Sequence, residues 1–110
     1  MKTIAEAVMA FLPPGIRLVA IPPAVIVYHG LDIEPAYIDV GPMLARNDLA
    51  NAGYNILSAV QDYVVRDTTT RWPAWGTRFA LPQVKLVDGG VHLWYGTETE
   101  IALDLGIWSL

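Results

Sequence analysis

Cysteine is missing from this sequence of 110 residues, and with it go disulfides, thiol nucleophiles and cysteine-based zinc sites. Charge is scarce as well: Asp, Glu, Lys and Arg make up 16% of the chain, against roughly 25% in typical soluble domains. The seven cations, Lys2, Arg17, Arg46, Arg66, Arg71, Arg78 and Lys85, stand singly, and the net charge is −4. No basic stripe follows a phosphate backbone, so nucleic acid is not an expected partner. No apolar run, the β-branched stretch 24–28 included, approaches the roughly 20 residues that cross a bilayer, and no membrane span is expected. The opening MKTIAEAVMAFLPPG has the Lys-then-apolar order of a signal peptide, but Glu6 interrupts it and no small-residue cleavage site follows. It reads as a helix, which leaves the cytoplasm as the default compartment.

Motifs that carry chemistry are missing too. There is no Walker loop, no G-x-G-x-x-G, and no H-x-x-H or H-E-x-x-H spacing. Ser58, Ser109 and the run Thr68-Thr69-Thr70 lack the G-x-S-x-G context of an activated serine. No cofactor or metal is expected.

Apolar residues are what the chain has in excess, at 54% without counting glycine. A single domain of this length, 1–110, buries only about two-thirds of its unfolded surface, so it needs a large exterior that its few charges do not coat. Coverage by other subunits is the expectation. The alternative is an exterior built of Ala, Thr, Asn, Gly and Pro.

Periodicity places the elements. Thr3 and Glu6 have capping-box spacing, and Ile4, Val8, Phe11 and Leu12 share one helical face, so a first helix is predicted over about 4–12, stopped by Pro13-Pro14-Gly15. Strands follow at 16–21, 24–29 and 36–40. The strongest pattern is the stripe Leu49, Gly53, Ile56, Leu57, Val60, Tyr63 and Val64, which predicts a long helix over about 43–66, starting either at Pro42 or at Asn47 or Asp48. Gly53 inside that stripe predicts close approach of another element. Strands are then predicted at 77–81, 83–87, 91–95 and 100–109, with Asp88-Gly89-Gly90 turning a hairpin. Parity puts Val84, Leu86, Val91, Leu93 and Tyr95 on one face and Lys85, His92 and Trp94 on the other. In the last strand Ile101, Leu103, Leu105 and Ile107 are expected to face one way, and Ala102, Asp104, Gly106 and Trp108 the other. The fold class is α+β, with two helices packed on one face of a mostly antiparallel sheet.

Candidate functional residues are few. His29, followed by Asp32 and Glu34, suggests a small ligand set or a titrating pair, against the plainer reading of a turn with solvated acids. Asp39, between Ile38 and Val40, is a candidate base if buried, but strand alternation points it outward. These four are the weak catalytic candidates. His92 is the cross-strand neighbour of Lys85. Trp72 and Trp75, with Arg71 and Arg78, sit in the loop 67–76 and its exit, and Trp, Tyr and Arg dominate interface hot spots. Together with Trp94 and Trp108 they are the expected partner-binding residues. The alternatives for the loop are a ligand platform or a lid over the core.

In size and in the order helix, strands, long helix, strands, the chain resembles the small completion or terminator proteins of phage tails, a likeness of layout and not of any motif. That resemblance implies an assembly subunit of a virus particle. Scarce charge, aromatic residues on the outer strand faces and the lack of a catalytic constellation make the expected function a non-enzymatic structural protein, acting as a homo-oligomer or within a larger particle. The alternatives are a small-molecule binding module with a pocket lined by Tyr54, Tyr63 and the tryptophans, between the long helix and the sheet, and an enzyme built on His29.

Overall fold

The structure is a computed structural model that describes residues 2–30 and 34–109, excluding the side chains of Lys2 and Thr3. In chain order the elements are α1 (Lys2–Met9), β1 (Ile16–Ile21), β2 (Ala24–His29), β3 (Ala36–Asp39), α2 (Gly41–Ala45), α3 (Leu49–Thr68), β4 (Leu81–Val87), β5 (Gly90–Gly96) and β6 (Ile101–Trp108). The class is α+β. The strands form two antiparallel sheets instead of one, β1-β2-β3 and β4-β5-β6, because each strand pairs with its neighbour in sequence and α3 separates the two trios. Helix α3 lies against β2 and β3 of the first sheet and β4 and β5 of the second, while α1 bridges β1 and β6. The two main helices thus join sheets that no ladder joins among the described residues. The molecule is thin, 36 × 31 × 18 Å, as a helix layer on a sheet layer must be.

Both start signals for the long helix are used. Pro42 opens the short α2, Asn47 turns at φ 56°, and Asp48 then caps α3 by accepting from the Asn51 amide at 3.2 Å. Helix α1 begins at Lys2, ahead of the cap expected at Thr3, and ends at Met9, three residues earlier than expected. Its Ile4, Ala5 and Val8 are buried, but Phe11, past the helix end, is exposed.

The apolar stripe of α3 is the centre of the core. Ile56, Leu57, Val60 and Val64 meet Val25 and Val27 of the first sheet and Val91, Leu93 and Tyr95 of the second in one buried cluster. The β4–β5 hairpin turns at Asp88-Gly89, with Val87 opposite Gly90, and its register pairs Val84 with Leu93 and Leu86 with Val91, as parity required.

Strand β6 departs from simple alternation. Leu93 pairs with Gly106 and Trp94 with Asp104, so Leu105 is an extra residue, and Gly106 takes φ +80° at this bulge. The faces therefore switch. Trp108, expected outside, lies opposite Val91 in the core at 2% exposure, and Ile107, expected with the apolar set, is exposed. A second shift at Tyr95/Gly96 turns Ile101 outward as well.

Candidate functional site

The segment between α3 and β4 was expected to enter a strand at 77–81. It does so only at Leu81, because the loop's carbonyls are satisfied by side chains in place of a ladder. Gln61, on α3, donates to the carbonyls of Trp72 and Ala80, and Arg71 Nη1 donates to the carbonyl of Thr77 at 2.6 Å. Trp72 is seated inward: its ring meets Tyr95 edge-on at 5.2 Å between centroids, and its indole N–H donates to the Phe11 carbonyl at 3.3 Å. Trp75 is half-buried beneath Arg78, whose guanidinium lies 3.8 Å over its ring centre and makes a bidentate pair with Glu100 at 2.9 and 3.2 Å. Those hydrogen bonds hold the Glu100 carboxyl below its ordinary range and raise Arg78 further.

What this clamped loop leaves outside is the candidate site. A groove of about 250 Å³ runs between the carboxyl-terminal half of α3 and the loop, with Val65, Phe79 and Leu81 on its apolar wall and Asp62, Arg66 and Arg71 on its rim. Phe79 is 64% exposed and Leu81 54%. The Arg71 guanidinium lies over the Phe79 ring, 4.0 Å from its centre, a cation–π contact.

Of the expected partner residues, the structure brings Arg71 and Trp72 to this groove and sets Trp75 and Arg78 beside it as a braced pair with Glu100. Trp94 and Trp108 are not available on the surface. Trp94 does share the outer face with His92, but its indole N–H donates to the Thr97 carbonyl at 2.8 Å and it retains 6% exposure under the turn that follows β5. Trp108 is carried inward by the Gly106 bulge, and its indole nitrogen is buried with no hydrogen-bond partner among the described residues. Phe79, Leu81 and Gln61 were not foreseen. Their signal was present: Phe79 and Leu81 flank the small, buried Ala80, and Gln61 stands one turn after the core residue Leu57.

Among the described residues, the weak catalytic candidates His29, Glu34 and Asp39 are part of no group of three that could hold a metal ion. His29 Nδ1 pairs with Asp67 at 2.8 Å, tying the end of β2 to the last turn of α3. Glu34 is exposed, and Asp32 lies outside the described residues. Asp39 is exposed and accepts from the Gly41 amide at 2.9 Å, which makes it a brace for the start of α2 and not a buried base. His92, expected beside Lys85, is its register partner and also bonds Asp104 at 2.8 Å on the other side. The Gly106 amide and then His92 hold the Asp104 carboxyl below its ordinary value. Tyr63 and Tyr54, offered as pocket lining, stand elsewhere: Tyr63 is in the core and Tyr54 is exposed outside the groove. No described helix is long and apolar enough to cross a membrane.

The chain matches no protein-family model, no curated protein and no solved structure.

Proposed function

We propose that this chain is a structural or assembly protein that works as a homo-oligomer or as a subunit of a larger particle, in the cytoplasm or within a virus-like particle, and that the α3–loop groove is its docking site. The observation that carries this reading is the exposure of Phe79 and of Leu81, the first residue of β4, beside a loop that hydrogen bonds from Gln61, Arg71 and Arg78 tie down. Exposed Phe79 beside arginine carries the aromatic and Arg signal that is enriched at interfaces, and a side chain already held in place loses less freedom on binding. Small-molecule binding is the second reading. Against it stands the groove's volume, about 250 Å³, below the roughly 300 to 1,000 Å³ usual for drug-sized ligands. The enzyme reading built on His29 comes third: among the described residues its ion-pair partner is Asp67, not Glu34 or Asp39.

The test is the solution mass of the purified chain and of Phe79→Ala. Phe79 is largely exposed and is not part of the buried cluster, so the variant is expected to keep its circular dichroism spectrum and to associate at least about tenfold more weakly, the scale of a hot-spot truncation. A wild-type chain that is monomeric at every concentration removes the homo-oligomer, and a variant of unchanged mass removes the groove as its docking site.

A further inference from the structure

The groove lies at the start of β4, and the far end of the same strand presents its chemical complement. Leu86 is 73% exposed, the highest value of any large apolar side chain described. Two residues later comes Asp88, the first residue of the hairpin turn, exposed and without a hydrogen bond or ion pair among the described residues. An apolar knob beside a carboxylate matches a groove with Val65, Phe79 and Leu81 on its wall and the guanidinium groups of Arg66 and Arg71 on its rim, where Asp62 is the one opposing charge. Arg66 is exposed in the last turn of α3 and holds no partner among the described residues.

Knob and groove cannot meet within one molecule. Strand β4 has seven residues, so at about 3.3 Å per residue its two ends stand roughly 20 Å apart. Resting on the reading of the groove as an assembly site, we infer that its occupant is the 86–88 hairpin tip of a second copy of this chain. The contact is made by side chains, not by a continued ladder: Pro82 has no N–H to donate along the β4 edge and Lys85 adds an exposed charge there. Every copy carries one tip and one groove, so the same contact serves a reciprocal pair or a closed ring.

Charge exchange tests this. Asp88→Arg gives a chain with a cationic tip and a cationic rim, and Arg66→Asp gives one with an anionic tip and a more acidic rim. Each alone meets itself with like charges and is expected to self-associate about tenfold more weakly or worse than the wild type in sedimentation equilibrium at low salt. Mixed one to one, each variant's tip finds an opposite rim on the other, and association is expected to return, with the wild-type mass where the assembly is a pair or an even-membered ring. Arg66→Gln, which removes the cation without adding an acid, is expected to fall between, and circular dichroism confirms that each variant is folded. If Asp88→Arg keeps the wild-type mass, or if the mixture stays dissociated, the hairpin tip is not the occupant. Should Phe79→Ala still lower the mass in that case, the groove remains a docking site for another segment or protein. Failure of both variants to change the mass overturns the groove itself.

Discussion

Gly53 faces Leu93 so closely that an ideal Cβ there would stand 2.7 Å from Leu93 Cδ2 and 3.6 Å from Trp108 Cε3. Both neighbours are buried, so neither has free space to enter. Gly53→Ala should gain about 1 kcal/mol in helix propensity and lose about 1 to 3 kcal/mol to overpacking, and a net loss is expected in a denaturant titration. A gain would show that the Leu93 side chain has room to turn. At the surface, Asp104 illustrates how one residue links stability to pH. Its folded carboxyl sits below the ordinary value because the Gly106 amide and His92 bond the ionised form. The stabilisation is therefore complete above the unfolded-state value near pH 4 and is lost as pH falls through the lower folded value. Asp104→Asn is expected to have a smaller drop in melting temperature between pH 7 and pH 3 than the wild type. An unchanged drop would assign acid sensitivity to other carboxylates, Glu100 first among them, since Arg78 holds it low in the same direction.

At the scale of elements, α3 shows what periodicity reveals and β6 shows where it fails. The stripe from Leu49 to Val64 reads directly as helix because burial against both sheets demands one continuous apolar face, and Ile56, Leu57, Val60 and Val64 are fully buried. Leu57→Ala is expected to cost about 2 to 5 kcal/mol, as truncation of a buried leucine does; a loss under about 1 kcal/mol in the same titration would mean that the site collapses around the gap. In β6 the residues alternate as cleanly, yet a bulge is a tertiary choice that alternation does not encode, and it moved Trp108 inward and Ile107 outward. Gly106 was the only local hint, since a positive φ needs glycine. Gly106→Val should therefore cost about 1 to 3 kcal/mol, although a Cβ placed there would meet no neighbour within 4 Å. A neutral result would show that β6 can be re-registered without the bulge. The candidate site was legible in the same partial way. Arg71, Trp72, Trp75 and Arg78 stood out by type, but which of them face solvent depends on Gln61, Tyr95 and Glu100, all outside the loop and two of them far along the chain from it. Sequence spacing carries no record of those contacts.

The whole molecule is two sheets tied by helices, and this makes its cooperativity a question with a definite answer. Sheet β1-β2-β3 and sheet β4-β5-β6 share no ladder among the described residues. If each half were stable alone, they would unfold separately. The core argues otherwise, because Ile56, Leu57 and Val60 of α3 belong to one buried cluster with residues of both sheets, and α1 closes the seam between β1 and β6. Removing either sheet would expose the face of α3 on which the other packs, and a three-stranded sheet without its helix is marginal. One transition is expected. The placement of the tryptophans supplies the measurement: all four, Trp72, Trp75, Trp94 and Trp108, fall in the second half of the chain, so fluorescence follows the second sheet and its loop while far-UV circular dichroism follows the whole. The two probes should give the same denaturant midpoint at a protein concentration held constant, since self-association also shifts stability by mass action. An earlier circular dichroism midpoint would mean that the first sheet melts on its own, and that α3 belongs energetically to the second sheet and the groove beside it.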